Sequence, residues 1–184
     1  MEDKIKYIFE NTNNWLNFAE AKNAALLAFN IALIAAISSG DVSPNYSSLQ
    51  YIIVAILIFS TTISLLSFVP RTNNKISQKT YKYTVGILDM IIEKIFKEKA
   101  DKNLLFYGYI GEFEIAQADD YLEELKKYYG SKEKEEVTMF EKDLAEEIII
   151  NSRITKRKYN YFKASLCILI VGMILLFIVA VLCA

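Results

Sequence analysis

The apolar residues of this chain collect in three blocks, and the charged residues lie before and between these blocks. The last block, Ala164–Ala184, has 21 residues and no charge. As a helix rising about 1.5 Å per residue, it can cross the ~30 Å hydrocarbon core of a bilayer. The second block, Leu49–Pro70, is also uncharged. The first, Asn23–Ser39, is just long enough and has Asn30 in its middle. A buried soluble helix is an alternative for the first block alone, but the second block follows after a short loop, so a membrane hairpin is favoured.

The segment between the second and third blocks has helical periodicity almost throughout. Three apolar stripes recur every three or four positions, and the opposite faces are charged, as in helices that pack into a bundle. The second stripe stops at Gly130, a typical residue just after a helix. No proline or glycine occurs from Ser131 to Val171, so we predict one helix that continues into the third span. The stripes are Tyr81, Val85, Leu88, Ile92 and Ile95; Ile115, Ala118, Leu122, Leu125 and Tyr129; and Val137, Phe140, Leu144 and Ile148.

An aromatic stretch, Leu104–Ile110 (LLFYGYI), interrupts this helical pattern. A short strand is one interpretation. Because Gly108 lies inside the stretch, a tight turn joining two helices is favoured over the strand.

We therefore predict an all-α integral membrane protein with three transmembrane helices and a cytoplasmic helical bundle, whose last helix is continuous with the third span. Residues 1–70 form an N-terminal amphipathic segment and a transmembrane hairpin, with spans at about 23–39 and 49–70. Residues 71–163 form the cytoplasmic helical domain, and residues 164–184 form the third transmembrane helix.

Basic residues near the span ends predict the orientation, because cytoplasmic flanks are enriched in lysine and arginine. The loop Gly40–Ser48 holds Asp41 and no basic residue. With the N-terminus inside, all flanking basic residues are cytoplasmic and the C-terminus is outside. The cluster Arg153–Lys163 can alternatively bind phosphate, but the flank of a span is the favoured interpretation. The flanking residues are Lys22, Arg71, Lys75, Lys79, Arg153, Lys156, Arg157, Lys158 and Lys163.

The composition argues against catalysis. Histidine is absent, which removes the commonest general base and zinc ligand, and the two cysteines, Cys167 and Cys183, both lie in the last apolar block. The chain has no phosphate-binding loop, nucleophile elbow or paired-cysteine metal motif. Carboxylate pairs such as Glu146 and Glu147 are more typical of a solvated helix surface than of a metal or acid–base site. The net charge of −1 gives no field that attracts nucleic acid. We predict no enzymatic activity, metal, cofactor or nucleic-acid partner.

Small and hydroxylated residues in the first two spans indicate how those spans pack. The first span has a ridge on which another helix can approach closely, and the second has a hydroxyl face. These hydroxyls either bond across helices and to their own carbonyls or line a wet path in an oligomer. The first interpretation is favoured because nothing ionisable lies at mid-membrane. The ridge is Ala24, Ala28, Ala32 and Ala36, and the hydroxyl face is Ser60, Ser64 and Ser67 with Thr61 beside it.

Three local clusters are unusual for such a protein. Trp15–Lys22 (WLNFAEAK) leads into the first span, and an interfacial anchor is one interpretation of it. The run Leu104–Gly111 is too apolar for an exposed loop. In Glu146–Tyr159, the pair Asn151 and Ser152 breaks an apolar face just before the membrane, where polar groups need partners.

In their order along the chain, these clusters resemble the membrane effectors of Pycsar, the bacterial anti-phage system that signals with cyclic pyrimidine mononucleotides. Members carry a tryptophan and a small-acidic-x-Lys element at the first span, an aromatic-aromatic-Gly stretch, and an Asn-Ser or similar pair before a Lys-flanked last span. Glu20 stands where aspartate is usual, and Tyr109 stands where histidine is expected. The resemblance implies these ligand-binding or signature residues: Trp15, Glu20 and Lys22; Phe106, Tyr107 and Gly108; and Asn151, Ser152 and Lys158, with Ala19 and Ile154 in the same motifs.

The resemblance implies a defence effector of the bacterial inner membrane. It would respond to cyclic UMP or cyclic CMP by disrupting that membrane, which causes abortive infection. Its partners would be the lipid bilayer, the cyclic mononucleotide and further copies of itself, because three spans alone cannot enclose a water path. Which nucleotide activates it stays open. The alternative function is a structural or scaffolding membrane protein whose cytoplasmic helical domain binds a protein partner.

Overall fold

The structure, a computed structural model, describes residues 1–39, 47–69, 78–96, 100–130 and 137–183. Within these ranges every regular element is helical, which confirms the predicted all-α fold class. The strand interpretation of Leu104–Ile110 is wrong, because these residues form turns and a single helical turn. The helices are α1 (Glu2–Ser39), α2 (Ser47–Leu66), α3 (Gln78–Ile95), α4 (Tyr107–Ile110), α5 (Ala118–Tyr129) and α6 (Met139–Cys183), with a 3₁₀ turn at Ile115–Gln117.

Three of these helices, α1, α2 and α6, are long and apolar enough to cross a membrane. They contain residues 23–39, 49–66 and 164–183 of the predicted spans, so the prediction of three helices able to span a membrane is confirmed. Helix α6 runs for 45 residues without a break, which confirms that the helix before the third span is continuous with it. Helix α2 ends at Leu66. Pro70, which the sequence places at the end of the second span, lies outside the described residues.

The chain divides into two compact units. Unit 1 consists of Met1–Ala19 and Glu98–Lys158, and unit 2 consists of Glu20–Lys97 and Tyr159–Ala184. The first half of α1 thus packs with α4, α5 and the first part of α6, which the sequence analysis did not predict. Helix α3 belongs with the spans. The division of the chain at residues 70 and 163 stays a prediction.

The core of unit 1 is apolar and is built by α1, α5 and α6. In the second and third predicted stripes, four positions are buried as expected and four are exposed. The buried positions are Ala118, Leu122, Leu125 and Ile148, and the exposed ones are Ile115, Tyr129, Val137 and Phe140. The complete core is Ile5, Ile8, Leu104, Ile110, Ala118, Tyr121, Leu122, Leu125, Ala145, Ile148 and Ile149.

Local chemistry explains two helix boundaries in unit 1. Helix α6 begins at a capping box, in which the Glu141 backbone N–H donates to Thr138 Oγ1 (3.2 Å) and the Thr138 backbone N–H donates to Glu141 Oε2 (3.0 Å). These bonds satisfy two of the amide groups that a helix start leaves unpaired. Helix α5 ends at Tyr129, as predicted, and a Cβ at Gly130 would collide with the carbonyl of Lys126.

Unit 2 packs α2 and α3 against the membrane-spanning parts of α1 and α6. One apolar cluster joins Leu26, Leu57 and Leu169, from α1, α2 and α6. A second joins Ile63 of α2 with Ile92 of α3, together with Tyr161 and Ala164. In the predicted α3 stripe, Leu88 is half-buried, Ile92 is buried and Ile95 is exposed. The side chains of Tyr81 and Val85 lie outside the described residues.

Candidate functional site

An aromatic cluster in unit 1 joins the first and second signature motifs. The Trp15 ring lies 6.1 Å from the Phe106 ring in a T-shaped arrangement and 5.5 Å from the Tyr107 ring, centroid to centroid. The Phe106 and Tyr107 rings are themselves 4.5 Å apart. These spacings fall at the favourable distances for aromatic pairs. Trp15 therefore packs against protein rings and does not act only as an interfacial anchor.

Two glycines allow the aromatic turn to pack this closely. A Cβ at Gly108 would lie 2.5 Å from Cε1 of Phe106, so a larger residue would force that ring to move. A Cβ at Gly111 would lie 3.4 Å from the backbone carbonyl of Ser152 on α6. The turn after α4 thus approaches the α6 backbone directly at the third signature motif.

A hydrogen bond fixes the segment that leads into this turn. The buried hydroxyl of Tyr121 on α5 donates to the carbonyl of Leu104 (2.9 Å). Burial raises the pKa of Tyr121, so the phenol stays protonated and keeps this donor at physiological pH.

The third motif contacts α1 through a pair of amides. Nδ2 of Asn151 donates to Oδ1 of Asn13 at 2.9 Å, and Oγ1 of Thr155 donates to the Asn151 carbonyl at 2.7 Å. Ser152 is completely buried, yet its hydroxyl has no hydrogen-bond partner among the residues that the structure describes. An unpaired buried hydroxyl costs roughly 1–3 kcal/mol, so this position is destabilising in the arrangement that the structure shows.

These contacts define one site, which we name the aromatic–amide cluster: Asn13, Trp15, Phe106, Tyr107, Asn151 and Ser152. It combines ring faces, amide donors and acceptors, and an unpaired hydroxyl. Charges lie next to it on α6. Lys156 forms an ion pair with Glu112, which follows the aromatic turn, and Arg153 is exposed. Lys158, another signature residue, is buried at the end of unit 1.

The acidic and basic residues of the first motif lie in unit 2. Lys22 Nζ lies 5.2 Å from the ring centroid of Tyr159 and 5.7 Å from that of Phe162, which are distances typical of cation–π contacts. Glu20 is half-buried, and Ala19, the last α1 residue of unit 1, is completely buried.

Hydrogen bonds between buried polar side chains also connect the three spans of unit 2. Nδ2 of Asn30 donates to Oγ of Ser60 (2.9 Å), and Ser60 Oγ lies 2.9 Å from both the hydroxyl and the carbonyl of Ser165. Ser64 Oγ donates to the Asn23 carbonyl at 3.2 Å. The prediction that the α2 hydroxyls bond across helices is confirmed, and all of these side chains are buried within a single chain.

A comparison with known protein families identifies the family of this chain. A family model described as the Pycsar effector protein domain matches residues 4–184. This chain belongs to that family. No curated protein and no solved structure matches the chain. Family membership, with the three apolar helices, supports an anti-phage defence effector located in a membrane.

Within this effector the structure brings six of the nine signature residues into unit 1 contacts, namely Trp15, Phe106, Tyr107, Gly108, Asn151 and Ser152. Asn13 and Gly111 belong to the same site, and sequence reasoning missed both. The signal for Asn13 is the polar run Asn11–Asn14, which interrupts the apolar positions of α1. In the part of the chain that the structure describes, no group of three His, Cys, Asp or Glu residues is placed to hold a metal ion.

Proposed function

We propose that this effector binds a cyclic pyrimidine mononucleotide, cyclic UMP or cyclic CMP, and responds by disrupting the bacterial inner membrane. It would do so without catalysis of its own, and the infected cell would stop growing before phage is released. The observation that carries the proposal is that residues from three sequence-distant signature motifs, with Trp15 from the first, meet at the aromatic–amide cluster in a chain of this family.

The cluster has the chemistry that a pyrimidine nucleotide needs. The Trp15 and Tyr107 rings are half-buried, and an aromatic face on which a base stacks contributes about 1–3 kcal/mol. The side-chain amides of Asn13 and Asn151 offer both donors and acceptors, which matches the mixed edge of uracil or cytosine. Arg153 and Lys156 supply cations next to the cluster for the cyclic phosphate.

The unpaired hydroxyl of Ser152 supports a response and not only binding. A ligand shifts a conformational equilibrium only if it binds one state better than the other. An arrangement that leaves a buried hydroxyl unpaired is raised in free energy, so a state in which Ser152 gains a partner is favoured by that amount. The same helix, α6, carries Ser152 in unit 1 and, from Tyr159 onward, the part in unit 2 that includes the third span. We propose that α6 transmits the change.

The proposal includes the orientation of the chain in the membrane and the assembly of several copies. Residues 1–22 and 71–163 would lie in the cytoplasm and the C-terminus outside, as the basic flanks indicate. Damage to the membrane would need several copies, and the alanine ridge offers the contact surface. Ala24, Ala28, Ala32 and Ala36 are all exposed within a single chain.

The direct test uses the full chain in lipid nanodiscs. Trp15 is the only tryptophan, so its fluorescence reports on the cluster. We expect cyclic UMP or cyclic CMP to change this fluorescence in a saturable way and cyclic AMP to leave it unchanged. The Tyr107→Ala variant should lose the response. Tyr128→Ala removes an exposed aromatic residue of the same unit outside the cluster, and it should keep the response.

A second experiment follows membrane potential in cells that contain the chain and an inducible pyrimidine cyclase. Depolarisation should follow induction, and a proline inserted after Ser152 should abolish it while nucleotide binding persists. No binding and no depolarisation with either nucleotide would contradict the proposed function and favour the scaffold alternative. Depolarisation that survives the proline would rule out transmission along α6 alone.

A further inference from the structure

Helix α3 of unit 2 has one face packed against the spans. Ile92 is buried and contacts a cluster that includes Ile63 of α2 and Tyr161 of α6, with Phe96 packed alongside. Leu88 lies one turn earlier on the same face and is half-buried. This face fixes α3 to the membrane-spanning part of the molecule.

A second face of α3 is apolar and exposed. Ile87, Ile91 and Ile95 recur every fourth residue and therefore form a row along the helix, and Met90 lies next to it. These four side chains are between 49% and 68% exposed. An exposed apolar row of this kind marks an interaction surface and does not suit contact with water.

The polar side of α3 lies opposite this row. At about 100° per residue, Glu93 points roughly 200° away from Ile91 around the helix axis. Glu93 is exposed and Asp89, one turn earlier, is half-buried. Because these carboxylates are charged, α3 is unsuited to the hydrocarbon core of a bilayer. Its three faces match a helix that lies at a boundary between water, protein and lipid.

We propose that α3 is an interfacial helix, which inserts the row Ile87–Ile91–Ile95 into the boundary of headgroups and acyl chains beside the spans. Such helices bury an apolar face about 5–10 Å into that boundary. Two observations favour lipid as the occupant over protein. On α2, the exposed Leu65 lies two positions after Ile63, which belongs to the same cluster as Ile92 of α3, so both helices expose apolar side chains near this shared cluster.

The second observation is charge. Residues 71–99 contain seven basic and three acidic residues, an excess of positive charge that attracts anionic headgroups. A lysine at the edge of the row, Lys94, can keep its ammonium group in the headgroup region while its stem lies along apolar surface. The inference needs only the membrane location of unit 2, and it does not depend on any nucleotide.

Spin labels on the full chain test this placement. In a background with Cys167→Ala and Cys183→Ala, a nitroxide is attached to a single cysteine introduced as Ile91→Cys, Glu93→Cys or Ile115→Cys. The protein is placed in nanodiscs of equal parts phosphatidylethanolamine and phosphatidylglycerol. The ratio of collisions with oxygen, which concentrates in lipid, to collisions with a water-soluble nickel chelate is then measured at each site.

We expect this ratio to be several-fold higher at position 91 than at position 93 of the same helix. Position 115, an exposed isoleucine of unit 1, should resemble position 93. A label at position 91 that is shielded from both reagents would overturn the proposal. If its spectrum also shows dipolar broadening that disappears on dilution with unlabelled protein, a second copy of the chain covers the row Ile87–Ile91–Ile95. A water-like ratio at 91 would also overturn it. Nucleotide binding is not measured, so these outcomes are independent of the proposed function.

Discussion

The two units of this effector both have apolar cores, but they differ in their buried polar groups and in the side chains that they expose. Unit 1 buries Ile5, Leu125 and Ile148, and its ion pairs lie on the outside. Unit 2 buries Asn30, Ser60 and Ser165, and its exposed residues are mostly large and apolar, as on α6. On the third span the exposed large apolar residues are Ile170, Val171, Met173, Ile174, Phe177, Ile178, Val181 and Leu182.

This difference is the one expected between a unit that folds in water and a unit that folds in lipid. In water, the burial of apolar surface stabilises a fold and a buried polar group costs free energy. In lipid, the tails are as apolar as leucine, so helices are held together by close packing and by hydrogen bonds between them. Equal exposure of an isoleucine therefore has a different meaning in each unit, and matched substitutions can test this.

The largest effect on stability is expected from a substitution that creates a cavity in the core of unit 1. Ile148→Ala removes a completely buried side chain and should destabilise the protein by about 2–5 kcal/mol. The matched change Ile174→Ala, on the exposed face of the third span, should change stability by less than about 0.5 kcal/mol. Thermal unfolding followed by circular dichroism in nanodiscs compares the two. Similar losses from both changes would contradict the burial of Ile148 in the core of unit 1 and the exposure of Ile174 on the third span.

The next largest effect is expected when a charged side chain replaces an exposed isoleucine in each unit. Ile174 and Ile115 are similarly exposed, at 55% and 44%. Ile174→Lys should cost roughly 2.5–3.5 kcal/mol if the position lies deep in the bilayer, whereas Ile115→Lys should be tolerated. Membrane-fraction yield of the two variants measures this. Equal yields would show that the exposed face of α6 does not lie in lipid.

A smaller effect, of opposite sign in the two units, is expected for two buried serines. Ser60→Ala leaves the Asn30 amide without its acceptor and should destabilise the spans by about 1 kcal/mol. Ser152→Ala removes a hydroxyl that has no partner in the described part of the chain and should stabilise the protein by about 1 kcal/mol. If the Ser152 hydroxyl serves the ligand response, this stabler variant should also respond less to nucleotide. Loss of stability in Ser152→Ala would mean that the hydroxyl is paired in solution.

Much of unit 2 was predictable, because its signals are local. Three uncharged stretches locate the spans, and the absence of proline and glycine from Ser131 to Val171 predicts the continuous α6. The face with Ser60 and Ser64 also predicts bonds across helices. The partners Asn30 and Ser165 were not predicted, because periodicity identifies a helix face and not its neighbour.

Unit 1 was less predictable because its contacts are distant in sequence. Asn13 and Asn151 are separated by 138 positions, and no local pattern pairs them. The sequence does not show that Met1–Ala19 packs with α5 and α6. The core formed by α5 and α6 needs a further helix to cover it, and Ile5 and Ile8 of α1 fill that place. The three motifs stand out in the sequence as unusual clusters, and the resemblance marks their residues as a signature, but only the structure brings Trp15 against Tyr107.

The smallest effect on the single chain is expected at the alanine ridge, and it separates folding from assembly. Ala28 and Ala32 are exposed on α1, so Ala28→Leu with Ala32→Leu should change the stability of one chain by less than about 0.5 kcal/mol. Larger side chains there would nevertheless keep a second helix from approaching closely. Crosslinking in membranes should therefore show fewer oligomers, and nucleotide-triggered depolarisation should fall. The matched change Ala55→Leu, at an exposed alanine of α2, should leave both readouts intact. If assembly survives the ridge substitutions, subunits meet through another face, and the lipid-facing surface of α6 becomes the next one to substitute.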